Sequence, residues 1–294
     1  MKTDSQSRGS LPRLRASSSC TGKLDRLGWT AGITFQAYGL RIGIRTDNEE
    51  ILEQVKGRLP RGWKPARSPI VDNLYSIIAP QTSRRSNLKR FNLLYRGIAR
   101  LVKATDLDEV LRELDISINA YVASAARQRV FLHAGVVGWR GRAIVIPGKN
   151  FSGKTSLVTA LLRAGATYYS DEFAVLDSRG RVHPYPWVLH VREEGASSPK
   201  EYSVEALGGE MGAKPLPVGL VLLCEYRSGA KWRPRPLSQG QAALAMLSSV
   251  LSTNHRPETV LPMLGRMVSG AKVLTGVRGE ADEVVESVLN GMGG

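Results

Sequence analysis

The sequence predicts an α/β protein: a small N-terminal α/β module followed by a larger α/β core. Three observations predict this. β-rich runs alternate with segments of helical period along most of the chain. One such segment, 106–127, repeats Leu107, Val110, Leu111, Leu114, Ile118, Tyr121, Val122 and Ala125 on one face, the pattern of a long amphipathic helix. Further on, the apolar run AIVIP, a glycine-rich loop and the helical stretch SLVTALLRAG follow in that order. With 294 residues, 42% of them hydrophobic, the chain can bury the core of one large domain or two ordinary ones.

Residues 1–28 carry six basic and two acidic residues and no hydrophobic periodicity, so they read as a basic, disordered tail dispensable for folding. They hold no apolar stretch of the kind a secretory signal needs. The N-terminal module spans 29–128. ITFQAYGLRIGIR (33–45) reads as two short strands about Gly39. Asp47, three positions before Glu50, reads as the capping-box start of a helix over EEILEQVKGRL, ended by Pro60 and Gly62. Strands at 74–79, 90–95 and 98–103 and the helix at 106–127 complete it. The core spans 129–294. It opens with VFLHAGVVGW and RAIVIPG, and the helix after the glycine-rich loop ends at Gly165. Strands follow at TYYS, FAVLD, VGLVLLCEY and AKVLTGV, with helices at 238–251, 257–268 and 280–290. KEYSVEALGGEMGAKPLP (200–217) reads as a mobile loop.

The formal charge is +15. Arg84, Arg85, Lys89, Arg90, Arg96, Arg100 and Lys103 form one basic cluster, and Arg227, Lys231, Arg233 and Arg235 another. Two readings stay open: a solvated surface, or a patch for an acidic partner. No nucleic-acid-binding motif accompanies the charge, so nucleic acid is the weakest reading. No run of 18 apolar residues occurs, so no membrane-spanning helix is expected. Cys224 sits in an apolar strand and reads as a buried thiol, and no C-x-x-C metal spacing exists. With only Cys20 besides, a reducing cytoplasm fits best. A homo-oligomer stays open.

Residues 148–155 read Gly148, Lys149, Asn150, Phe151, Ser152, Gly153, Lys154, Thr155, which is G-x-x-x-x-G-K-[ST], the P-loop or Walker A pattern, without departure. Each residue type has a physical task. The two glycines allow backbone angles that point successive N–H groups at phosphate oxygens. Lys154 supplies a cation for the β- and γ-phosphates, and Thr155 a hydroxyl for Mg²⁺. The helix beginning here, with Ser156 in its first turn, adds the positive end of its dipole. A nucleoside triphosphate with magnesium, ATP-Mg²⁺, is the expected ligand. Such a loop needs a neighbouring acid. Asp171 and Glu172, between TYYS and FAVLD, can divide proton abstraction and metal binding between them. His133 lies in the strand-like FLHAG.

Together His133, the 148–155 loop and the Asp171-Glu172 pair resemble the HPr kinase/phosphorylase family. His133 precedes Gly148 by 15 positions and Asp171 follows it by 23, spacings similar to the family's own. GATYYSDEFAVLD resembles the family's acidic region. HPYP (183–186) and PLSQGQAALAML (236–247) resemble the HPr-kinase-like branch associated with bacterial peptide maturation. The resemblance is strongest over 130–192. It implies the core shared with phosphoenolpyruvate carboxykinases, a mixed sheet flanked by helices and carrying the loop. It also implies an ATP-dependent kinase acting on a Ser or Thr hydroxyl of a peptide or protein. In that reading Asp171 is the base, Glu172 binds the metal with Thr155, Lys154 binds the phosphates, and His133 lies near the transferred group. Ala134 and Glu172 stand where the family has Gly and Asp. The family's E-[IV]-R-G-[ILM]-G stretch is missing, and Arg192 is its nearest counterpart. Three other readings remain: a nucleotide-binding regulator without transferase activity, a small-molecule kinase acting, for instance, on free serine, and a nucleic-acid-stimulated ATPase, which DNA or RNA would activate in a salt-dependent way.

Overall fold

A computed structural model of the chain describes residues 11–14, 22–79, 91–148, 152–187, 189–191, 200–251 and 257–292. The fold is mixed α/β, with several sheets flanked by helices. The chain divides into two compact units, Met1–Val122 and Ala123–Gly294.

In the first unit, β1 (Arg13–Leu14) and α1 (Gly22–Asp25) precede β2 (Ala31–Ala37) and β3 (Leu40–Thr46). Then come α2 (Glu49–Lys56), β4 (Lys64–Pro65), β5 (Ile70–Val71), β6 (Asn73–Ile78), β7 (Asn92–Arg96), β8 (Ala99–Ala104) and α3 (Leu107–Ala125). The sheet runs β4-β2-β3-β6-β7-β8. The expected stripe on α3 is buried at Val110, Leu111, Leu114, Ile118 and Val122, and the Tyr75 hydroxyl ties β6 to the helix by donating to Ser117 O at 3.0 Å. The cap of α2 is not Asp47 but Asn48, whose side chain accepts from Glu50 N–H. Asp47 serves another purpose: its Oδ1 accepts the backbone N–H of Ala79.

The N-terminal stretch also differs from the expected tail where it is described. β1 pairs parallel with β5, Pro12 is buried over Gly32 and Gly43, and Asp25 pairs with the buried Arg45 at 2.7 Å. A low-hydrophobicity segment thus still contributes a short strand that forms a two-stranded sheet with β5, a proline packed over the main sheet and a carboxylate for its Arg45. Of the basic cluster, Arg84, Arg85, Lys89 and Arg90 lie outside the described residues.

The second unit is a three-layer arrangement. Its strands are β9 (Val130–Trp139), β10 (Arg142–Pro147), β11 (Thr167–Ser170), β12 (Phe173–Leu176), β13 (Val182–His183), β14 (Leu189–Val191), β15 (Lys200–Tyr202), β16 (Val218–Tyr226), β17 (Arg235–Pro236) and β18 (Lys272–Arg278). Its helices are α4 (Lys154–Arg163), α5 (Gln239–Met246), α6 (Pro257–Val268) and α7 (Ala281–Asn290). The main sheet runs β13-β12-β9-β10-β16-β18-β17, with β11 also on β9. One face packs on α5 and α6 through Met246, Leu264 and Met267, and the other on α4 and α7 through Leu157, Leu161, Val284 and Val288. Strands β10, β16 and β18 are parallel, so their carboxyl ends share one edge of the sheet. In open α/β sheets that edge is where ligands bind.

Two expectations about loops and helix ends change. The stretch 200–217 is held in place: β15 pairs with β14, Gly212 N–H donates to Tyr168 O and Leu216 N–H to Val182 O. Val204 and Leu207 are buried, which its Gly and Pro content concealed. The helix expected over 238–251 is α5 followed by a short 3₁₀ turn, Leu247–Ser249, and it starts with a Ser238/Gln241 capping box. Cys224 is a buried free thiol, and burial raises its pKa. No described helix is long and apolar enough to cross a membrane.

Candidate functional site

The site is built around β9, which separates the glycine-rich loop from the acidic pair. On one side β10 pairs antiparallel with β9 as far as Pro147 opposite Ala134, and Gly148 N–H then donates to His133 O at 3.3 Å. On the other side β11 and β12 lie end to end along β9, with Phe173 opposite His133. Asp171 and Glu172 fill the break between them, and Ala134 N–H donates to Glu172 O.

A register shift between Tyr168 and Ser170 sets which way the acids point. In a regular strand residues three apart face opposite ways. The extra residue restores the same face, as a β-bulge does, and lets Tyr168 and Asp171 meet on the α4 side. The Tyr168 hydroxyl lies 2.8 Å from Asp171 Oδ1 and 2.9 Å from Trp187 O. Burial first, and then the Asp171 charge, push the Tyr168 pKa up, so this phenol stays a neutral donor. Ser170 steadies the turn by accepting from Glu172 and Phe173 N–H.

Across the break lies the start of α4. Gly153 caps the helix in the left-handed region, φ 81°, where a Cβ would run into the Arg278 guanidinium. At Gly148 a Cβ would strike Ser152 Oγ, so any larger residue there would require the Ser152 side chain to move. The Lys154 ammonium is buried and donates to Gly148 O at 2.9 Å. Burial lowers its pKa, opposed by the charges of Glu172 and Asp171. Thr155 Oγ1 donates to Asp171 Oδ2 at 3.4 Å. The Ser152 hydroxyl is buried with no hydrogen-bond partner. His133 Nε2 lies 3.3 Å from Glu172 Oε1, a close approach too poorly aligned to be a hydrogen bond.

The structure thus brings together His133, Gly148, Ser152, Gly153, Lys154, Thr155, Asp171 and Glu172. Ser156 is exposed in the first turn of α4. Lys149, Asn150, Phe151 and Arg192 lie outside the described residues. Sequence reasoning passed over two neighbours. Tyr168 is hidden among three consecutive β-formers and shows its role only through the bulge. Arg278 carried one signal, a cation closing the apolar strand over 272–278.

Among the described residues no group of three or more His, Cys, Asp or Glu could hold a metal ion. Magnesium does not require one, because it takes one or two carboxylates and completes its shell with water and phosphate oxygens. The hydroxyl of Thr155 facing a carboxylate oxygen of Asp171 is a donor set of that kind. No known family model and no curated protein matches the chain.

Proposed function

We propose that the protein is an ATP-dependent kinase that transfers the γ-phosphate to a Ser or Thr hydroxyl of a peptide or protein. The proposed core is a P-loop of the type shared by HPr kinases and phosphoenolpyruvate carboxykinases. The observation that carries the reading is the approach of Thr155 Oγ1 to Asp171 Oδ2 across the 148–155 loop. A metal-binding hydroxyl and its partner acid have to meet there if the loop holds a Mg²⁺-triphosphate. The orphaned Ser152 hydroxyl, the buried Lys154 and the start of α4 add donors suited to phosphate.

The geometry favours dividing the acidic pair in the opposite sense to the one the resemblance implies. Both Asp171 oxygens face hydroxyl donors, Thr155 and Tyr168, which stabilises the carboxylate and weakens it as a base. Asp171 is also 6% exposed, too enclosed to meet an incoming acceptor. The Glu172 side chain is 40% exposed and sits beside His133. In this division Asp171 and Thr155 would hold the metal, which would supply positive charge to the phosphate oxygens. Glu172 takes the proton of the acceptor hydroxyl while its oxygen bonds to the γ-phosphorus and the bond to the β-phosphate oxygen breaks, releasing ADP. Lys154 follows the charge onto the β-phosphate. His133 lies beside Glu172.

Incubating the protein with γ-labelled ATP, Mg²⁺ and a Ser/Thr peptide library tests the proposal. Label appearing on a peptide supports it. ATP that binds and stays unchanged turns the reading to a regulator, and label on free serine to a small-molecule kinase.

A further inference from the structure

Arg278 is 2% exposed, yet no carboxylate pairs with it among the described residues. It ends β18, at the carboxyl edge of the parallel strands. Nη2 donates to Gly153 O at 2.7 Å and Nη1 to Gly279 O at 2.8 Å. Nε is buried and makes no hydrogen bond among the described residues, with the Cys224 thiol close to the guanidinium. The Tyr226 ring lies 5.4 Å from its Cζ, and the nearest acid in sequence, Glu280, accepts from the Tyr226 hydroxyl instead.

A buried, unpaired guanidinium is costly. Its location adds to the cost, because it lies against the N-terminal end of α4, where the helix dipole is already positive and Lys154 is close by. Hydrogen bonds to two neutral carbonyls satisfy donors but leave the charge uncompensated. An anion at the start of α4 would supply the missing charge.

We infer that Arg278 is a positioning residue of the phosphate site: it fixes Gly153 through its carbonyl, and its buried charge is balanced by the phosphates of the bound nucleotide. The inference rests on the nucleotide reading of the 148–155 loop. The Gly153 carbonyl, drawn toward Arg278, keeps that residue in the left-handed conformation that α4 starts from. The site then has cations from two separate strand ends, Lys154 after β10 and Arg278 at the end of β18. The second lies some 120 residues further along the chain, beyond the reach of any local motif.

The test uses the full chain, with Mg-ATP and inorganic tripolyphosphate as probes in calorimetry. Wild type should bind both. Arg278→Gln removes the charge and shortens the side chain while leaving an amide donor, and should weaken tripolyphosphate binding at least tenfold. Arg278→Lys, which restores the charge, should recover most of that loss, as a purely structural role would not. Arg278→Gln binding as tightly as wild type would overturn the inference while leaving the loop reading intact. Wild type binding neither probe would overturn the loop reading itself. Should Arg278→Gln not fold, ¹⁵N spectroscopy of wild type decides. The Nε–H resonance that Arg278→Lys lacks should shift as tripolyphosphate saturates the protein, and a resonance that stays in place under saturation refutes the inference.

Discussion

Neutralising the two acids one at a time should give two different defects. In Asp171→Asn the new amide can keep its oxygen on the Tyr168 hydroxyl, 2.8 Å away, and turn its NH₂ toward Thr155 Oγ1, 3.4 Å away. The fold is therefore retained, at a cost of about 1–2 kcal/mol for the charge-assisted bond lost, or a melting shift of about 2–8 °C. The proposed metal site would lose a charged ligand. Half-maximal activity should then need about 10–100-fold more Mg²⁺, the size of effect seen when groups that set a metal site are altered. Saturating Mg²⁺ should restore much of the turnover. Glu172→Gln should leave the Mg²⁺ requirement near wild type and lower transfer by about 10²–10⁴, the usual contribution of a general base. The assay is phosphoryl transfer against Mg²⁺ concentration, with Mg-ATP affinity measured separately. The reverse outcome, turnover lost in Asp171→Asn and metal dependence altered in Glu172→Gln, would refute the exposure argument and restore the division implied by the family resemblance. No effect from either would reduce the acidic pair to a turn and end the kinase reading.

Three further outcomes are expected. Lys154→Ala should weaken ATP binding far more than ADP binding in calorimetry, because in the proposed site its ammonium would serve the terminal phosphates; equal losses would mean the loop is oriented differently. Deleting residues 1–28 should lower the melting temperature of the chain by about 5–10 °C, since it strips Pro12 from its seat and leaves Arg45, buried at 5% side-chain exposure, without the Asp25 carboxylate; an unchanged melting curve would show that these contacts contribute nothing. Asp177 is held down to about 2 despite the opposing effect of burial, by hydrogen bonds from His183 and from Arg181 and Arg179. A depressed carboxylate stabilises the fold above its unfolded pKa of about 4 and loses that contribution as pH falls toward 2, so Asp177→Asn should be destabilised by about 2 kcal/mol at neutral pH and show a flatter stability curve between pH 4 and pH 2.

The α/β class and most elements were legible because periodicity is a local signal. The strands of β9, β10, β16 and β18 and the stripe of α3 can be read from a few neighbouring residues. Errors fell where the deciding contact was distant. Asp47 looked like a helix cap because the partner that claims it, Ala79 N–H, lies across the sheet. The stretch 200–217 looked loose because the bonds that hold it go to Tyr168 and Val182. In the candidate site, the 148–155 motif and the acidic pair were visible as residue types at a spacing. The bulge that turns Tyr168 onto Asp171, and the burial that separates Asp171 from Glu172, were not. They depend on register along β9, which no local window contains.

The same contrast explains how the loop is braced. Gly148 and Gly153 mark its two ends, and each gives its carbonyl to a buried cation: Gly148 O accepts from Lys154 and Gly153 O from Arg278. Gly153 O also accepts the Leu157 N–H, so it is turned along α4, while Gly148 O is turned toward the Lys154 ammonium. The two braces differ in what binding would ask of them. Lys154 has a flexible stem and can leave Gly148 O for a phosphate oxygen, exchanging a neutral acceptor for a charged one. Arg278 is enclosed and forked over two carbonyls, so it stays in place and contributes its charge from where it sits. One cation that moves and one that does not would suit the proposed kinase site, which would have to release its product. In the proposed kinase, Lys154 would fall back onto Gly148 O once the terminal phosphate had left, and Arg278 would keep Gly153 in place for the next nucleotide.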